Sequence, residues 1–130
     1  MFAVGNLVHP VDTADAAALD GRHVAPRVRE WLAGGRAAAT GIRVRAGAPL
    51  RWVTPQLVTP DGGAAPRGDL LFWVDEYHRA PRLRAVQDGR VIGSKRTAWP
   101  AAPGRIYRAP WALVAGADPA GGDVVVELAV

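Results

Sequence analysis

Residues 82–96 read RLRAVQDGRVIGSKR, and this stretch predicts a β-hairpin. Two runs in which apolar and polar residues alternate flank the dipeptide Asp88-Gly89. Asp-Gly favours the two-residue turn between antiparallel strands, because both of its residues tolerate a positive φ. The second part of the chain is therefore predicted to be antiparallel β structure.

Similar runs lie on both sides of the hairpin, at intervals of roughly eight to twelve residues, which is typical of a small antiparallel sandwich or barrel. Pro55 indicates an edge position or a bulge, since proline has no amide hydrogen to donate. The predicted strands are Ile42–Ala46, Leu50–Val58, Leu70–Asp75, Arg82–Gln87, Arg90–Arg96, Arg105–Arg108 and Asp123–Ala129. The predicted core residues are Trp52, Leu71, Trp73, Leu83, Val91, Trp111, Val124 and Val126.

The first part of the chain follows a different pattern. Residues 1–6 predict a short buried strand that ends in the turn Gly5-Asn6, and a loop then opens an alanine-rich helix. Apolar residues from Thr13 to Leu32 recur close to the helical period of about 3.6 residues. Gly34 is expected to end this helix, and Pro26 to kink it or split it. The predicted fold class is α+β, mainly β.

Composition limits the classes of protein to which the chain belongs. It has 130 residues, 49% of them hydrophobic and 22% charged, which suits a packed core. Cysteine is absent, so the chain has no disulfide and no thiolate metal site. No apolar run reaches the roughly 18 residues of a membrane span, and the N-terminus lacks a signal-peptide pattern. We therefore expect a cytoplasmic protein with no membrane partner.

The chain is basic, with a net charge of +4 and a pI near 10.6, which is compatible with binding to nucleic acid. The basic residues, however, are all arginine apart from Lys95, and they are spread along the chain. A nucleic-acid site needs a clustered basic stripe with interleaved aromatic residues, which the sequence does not contain. We therefore expect no nucleic-acid partner.

Four fragments of the chain, taken in order, resemble one family. The first is MFAVGNLVHPVDTADAA at residues 1–17, and three more follow it. These are LRWVTPQLV at 50–58, LLFWV at 70–74, and the hairpin DGRVI at 88–92 with the corner PGR at 103–105. In this order they resemble the C-terminal portion of FAD/NAD(P)-dependent oxidoreductases related to thioredoxin reductase, the pyridine nucleotide-disulfide oxidoreductase superfamily. The resemblance implies that residues 1–35 end an FAD-binding domain and that residues 36–130 form a small C-terminal antiparallel β domain.

The same resemblance implies a cofactor, FAD, and the residues that contact it. Gly5 would let the backbone approach the cofactor closely, and Asn6 would hydrogen-bond to it. The family often has Asp at the Asn6 position, so one negative charge is absent here. The start of the helix, at Asp12, Thr13 and Ala14, would direct its amides at the pyrimidine edge of the flavin.

The chain lacks other parts of such an enzyme. It has no G-x-G turn for the pyrophosphate, no NAD(P)-binding domain and no redox cysteine pair. We therefore expect a C-terminal fragment or small subunit that is not catalytic alone, has no catalytic residues, and completes the flavin site of a larger flavoprotein chain or self-associates. The alternative is a non-catalytic β-sandwich interaction module with a helical docking arm. The sequence identifies no substrate.

The remaining candidate residues favour structural roles. His9 lies in the predicted flavin loop, and neither it nor His23 or His78 has the spacing of a metal site, so no metal is expected. Asp75-Glu76-Tyr77-His78 resembles an acid/base cluster, but adjacent residues of a strand point to opposite faces. We expect this segment to end a strand in solvent. The five tryptophans are expected to be core or interface anchors.

Overall fold

The computed structural model describes residues 2–8, 14–35, 41–59, 64–65 and 68–129. Within these ranges the chain has one long helix followed by eight strands in two sheets, which confirms the predicted α+β, mainly β fold class. The chain divides into two compact units, Met1–Ala39 and Thr40–Val130. The division predicted from the sequence lies between residues 35 and 36.

The first unit contains helix α1, Ala14–Leu32. The predicted split at Pro26 is wrong, because the helix continues through it. A proline inside a helix removes one backbone hydrogen bond, and the turns on either side retain theirs. The helix ends as predicted at Gly34, which has a φ of +82°. The Gly34 and Gly35 amides donate to the carbonyls of Trp31 and Glu30 at 3.1 and 2.9 Å, the pattern of a Schellman cap.

The predicted N-terminal strand is wrong. Val4 is extended, but residues 2–4 pair with no strand among the described residues, and Gly5–Leu7 form a 3₁₀ helix. A strand needs a neighbour to take its backbone hydrogen bonds, and the described part of this unit offers only helices. Gly5, with a φ of +60°, ends the extended run. The apolar residues that suggest a strand therefore lead into a tight turn.

The second unit is built from two sheets. A five-stranded sheet has the order β3-β1-β8-β5-β6, and a three-stranded sheet has the order β2-β4-β7. Every pair is antiparallel except β1–β8, which is parallel. The strands are β1 Ile42–Ala46, β2 Leu50–Thr54, β3 Leu57–Val58, β4 Asp69–Val74, β5 Arg82–Gln87, β6 Arg90–Arg96, β7 Tyr107–Pro110 and β8 Val124–Ala129.

Three of the predicted strands match the structure without change, namely β1, β5 and β6. The predicted strand Leu50–Val58 is two strands, β2 and β3, because Pro55 stands between them. The predicted turn Asp88-Gly89 is confirmed. Both of its residues have a positive φ, 50° and 77°, as the type I′ turn of a two-residue hairpin requires.

The core takes residues from both sheets, and β1, β5 and β8 contribute to it at every second position. On β4, Leu70, Phe72 and Val74 are fully buried in it. Of the predicted core residues, Leu71, Leu83, Val124 and Val126 are buried, and Trp52, Trp73 and Trp111 are partly buried. The prediction for Val91 is wrong, since its side chain is 57% exposed at the edge of the larger sheet. No described helix is long and apolar enough to cross a membrane.

Candidate functional site

The first candidate site is the turn at Gly5. Gly5 is buried, and an added Cβ atom there would lie 3.4 Å from the Cβ atom of Ala17 on α1, an ordinary contact distance. Space alone therefore does not require glycine. The backbone conformation requires glycine, because residues with a side chain rarely adopt a φ of +60°. The turn thus brings backbone, rather than a side chain, against the first part of the helix.

The other predicted cofactor residues are only partly described. Asn6 is the middle residue of the 3₁₀ helix Gly5–Leu7, and Ala14 is the first residue of α1. Asp12 and Thr13, together with His9, lie outside the described residues. The structure therefore gives the two ends of the predicted cofactor loop, at Asn6 and at Ala14.

The start of α1 has the electrostatic character of any helix N-terminus, with one modification. The first four amides of a helix have no carbonyl partner within it, and the helix dipole makes this end positive. Asp15, in the first turn, is exposed and carries a carboxylate close to that end. This charge stabilises the helix and offsets part of the attraction of its N-terminus for an anionic group.

The second candidate site is an aromatic patch on the three-stranded sheet, which the sequence analysis missed. Trp52 and Trp73 face each other across β2 and β4, on the side of the sheet opposite Val53 and Phe72, which are in the core. The register shifts between Leu50 and Trp52, so β2 has an extra residue there. Sequence alternation alone does not reveal such a bulge.

The extra residue is Arg51, and its position gives the patch a charge. The guanidinium carbon of Arg51 lies 5.1 Å from the centre of the Trp73 ring, within the range of a cation–π interaction. An Nη atom of Arg51 also lies 3.4 Å from Oδ1 of Asp75. The indole nitrogen of Trp73 is buried and has no hydrogen-bond partner in the structure. The patch is therefore a half-buried apolar surface with a cation and a carboxylate beside it.

The predicted acid/base candidates do not form a catalytic cluster. Asp75, Glu76 and Tyr77 are exposed after the end of β4, as predicted, whereas His78 is half buried. The backbone of His78 pairs with that of Ala101, and its Nε2 atom is buried without a hydrogen-bond partner. Among the described residues, no group of three or more His, Cys, Asp or Glu side chains is placed to hold a metal ion.

No family model, curated protein or solved structure matches the chain.

Proposed function

We propose that the chain is the C-terminal part, or a small subunit, of an FAD-dependent oxidoreductase and that it completes the flavin site of a larger flavoprotein chain. The observation that carries the proposal is the Gly5 turn. A glycine in the left-handed region follows the extended Val4 and packs on the first part of a 19-residue helix. This connection supports the proposal because it joins an extended segment to a helix through a glycine turn, and the first amides of that helix have no carbonyl partner within it.

In this proposal the N-terminal unit supplies one wall of the cofactor site. Gly5 and Asn6 contact the cofactor through the turn, and Asp12, Thr13 and Ala14 contact it at the start of the helix. FAD, when bound, supplies the redox chemistry, and the chain's own residues bind and orient it. The start of the helix stabilises negative charge on the flavin, to an extent that Asp15 reduces. The second unit, Thr40–Val130, supports assembly with the larger chain.

Co-purification tests this proposal. The chain is expressed together with the product of the reading frame directly upstream of its gene, and the mixture is analysed by size-exclusion chromatography with light scattering. We expect a yellow complex that contains both chains and bound flavin. Two chains that elute separately, or an upstream product unrelated to flavoproteins, would count against the proposal.

A second candidate function is a non-catalytic interaction module with a helical docking arm. It is favoured by large apolar side chains that the N-terminal unit leaves exposed. Trp31 and Leu32, at the end of α1, are 58% and 70% exposed. Phe2 contacts Trp31 edge to face, with their ring centres 6.5 Å apart, and is itself 44% exposed.

Replacing Trp31 and Leu32 with serine separates the two functions. If the chain is an interaction module, this double variant should lose its partner. Any flavin should then be lost only together with the partner. The flavoprotein proposal predicts in addition that Gly5→Ala lowers flavin content in a complex that still forms. A chain that remains a monomer with every candidate partner contradicts both.

A further inference from the structure

The five-stranded sheet ends in an open edge at β6. Residues 90–96 are each exposed or half exposed, and no strand in the described part of the chain pairs with the outer side of β6. The backbone N–H and C=O groups on that side have no strand partner among the described residues, and the segment at Gly116 approaches the carbonyl oxygen of Ile92. Strand addition at such an edge is a common mode of peptide recognition.

The edge carries a concentration of positive charge. Arg82 on β5 stands directly opposite Arg96 on β6, and both side chains are exposed. Like charges in directly opposed positions destabilise a sheet. Arg90 and Lys95 add two more cations to the same strand. Within the described residues, none of these four side chains forms an ion pair.

The acidic residue of β8, the strand on the other side of β5, does not neutralise these cations. Glu127 on β8 accepts from Nε of Arg84 at 2.6 Å, so its charge is already balanced. The four cations at this edge outnumber the one carboxylate of the hairpin turn, Asp88, so the edge keeps a net positive charge for a partner. An anionic partner would relieve the repulsion between Arg82 and Arg96 that the hairpin otherwise retains.

An apolar row ends at the same edge. Val125, Val86 and Val91 are neighbours across β8, β5 and β6, according to the strand register. Val125 and Val86 are half buried, and Val91 is exposed at the end of the row. A further strand beside β6 could extend this row with one more apolar side chain. Val91 can therefore contribute apolar contact to binding at an edge that also carries positive charge.

We propose that β6 binds an extended acidic segment of a partner protein, which joins the five-stranded sheet as an additional strand. The segment places an apolar side chain beside Val91 and a carboxylate beside Arg96, whose neighbour on the inner side is Arg82. A second copy of this chain fits poorly, since antiparallel pairing of two β6 strands would bring Arg90 towards Lys95 and Arg96. The proposal is independent of the flavin site and holds whether or not the chain binds a flavoprotein.

A designed peptide tests the proposal on the full chain. The peptide has valine at its centre and glutamate at every second position on both sides, with threonine between, so that it fits in either direction. Calorimetric titration at low and high salt measures its affinity, and amide hydrogen exchange locates it. We expect binding that weakens with salt and slower exchange at β6 amides. The control is the same peptide with every amide N-methylated, which keeps its charge and cannot join a sheet.

Two double variants test the role of the paired arginines. R82Q/R96Q should weaken peptide binding about three- to tenfold at low salt, as expected for the loss of two exposed ion pairs. It should fold at least as well as the natural chain, because it removes a repulsive pair. R105Q/R108Q changes the net charge equally on exposed residues elsewhere and should leave binding unchanged.

Three outcomes would overturn the proposal. They are equal binding of the N-methylated peptide, equal weakening by both double variants, and unchanged exchange at β6 on addition of the peptide. A single-stranded oligonucleotide serves as a competing polyanion. If it binds through the same arginines and the peptide does not bind, the edge is a nucleic-acid site and strand addition is wrong.

Discussion

Gly93 on β6 lies directly against the carbonyl oxygen of Leu113. A Cβ atom added at Gly93 would overlap that oxygen, which belongs to the backbone of the 3₁₀ helix Trp111–Leu113. Gly93 stands opposite Ala85, so its missing side chain would point to the core side of β6. The absence of a side chain at this position lets the 3₁₀ helix close one end of the core.

Gly93→Ala is expected to destabilise the chain by about 1–3 kcal/mol, because a backbone atom cannot move aside as a flexible side chain can. Gly116→Ala is the matched control. A Cβ atom at Gly116 would meet only the carbonyl oxygen of Ile92, at 3.4 Å. Urea unfolding of both variants measures the difference. Equal stability of the two variants would show that the contact at Gly93 is not tight.

Gln87 holds the loop before β8 through its buried side-chain amide. Its Nε2 atom donates to the carbonyls of Asp118 and Gly122 at 3.0 and 2.8 Å, and its Oε1 atom accepts from the Asp118 amide at 2.8 Å. Gln87→Leu removes these partners from the Gly122 carbonyl and the Asp118 amide, while the Asp118 carbonyl still accepts from the Gly121 amide at 3.0 Å. The substitution should cost about 2–4 kcal/mol. Gln56→Leu, at an exposed glutamine, is the control and should cost less than about 0.5 kcal/mol. Thermal unfolding of both variants tests this prediction.

Arg51 interacts with both Trp73 and Asp75, and the distances indicate which contact matters more. The ion pair is long, at 3.4 Å, and both of its side chains are more than half exposed. Such pairs contribute little, whereas a cation over a tryptophan ring is worth about 0.5–1 kcal/mol. Arg51→Ala should therefore destabilise the chain by about that amount, and Asp75→Asn by clearly less. Equal effects in denaturant titrations would assign the stabilisation to the ion pair.

Local sequence signals predicted much of the β unit. Asp88-Gly89 sets the hairpin turn and, with the alternation on either side, the limits of β5 and β6. Pro55 marks the place where β2 and β3 separate. Gly34 marks the end of α1. In each case one residue restricts the backbone through its own covalent geometry, so a reader of the sequence needs no knowledge of distant contacts.

Features that depend on distant residues were not predictable. The parallel pairing of Val44 with Val124 joins strands that are far apart in the sequence. The burial of Val91 depends on whether another strand follows β6, and none does among the described residues. Likewise, residues 2–4 are apolar enough for a strand, but they find no strand partner in the described part of their unit. The position of Arg51 over Trp73 depends on a bulge that alternation does not reveal.

The isolated chain should bind FAD weakly. The proposed site contributes one wall, while ligands in good pockets have about 70–90% of their surface buried. We therefore expect a dissociation constant no tighter than about 1 mM, equivalent to roughly 4 kcal/mol of binding free energy. Flavin fluorescence titration of the purified, colourless chain measures it. Tight stoichiometric binding by the chain alone would contradict the proposal that it supplies only part of the site.

The measurement that tests the central claim most directly is the FAD affinity of the complex with the larger flavoprotein chain, compared between Gly5→Ala and Gly34→Ala. Both glycines have a positive φ and belong to the N-terminal unit, so alanine should strain the backbone by a similar amount, about 1–2 kcal/mol. Of these two glycines, Gly5 alone is proposed to contact the cofactor. We predict that Gly5→Ala weakens FAD binding at least about tenfold and that Gly34→Ala leaves it unchanged. Equal FAD affinity in the two variant complexes would contradict a flavin contact at Gly5.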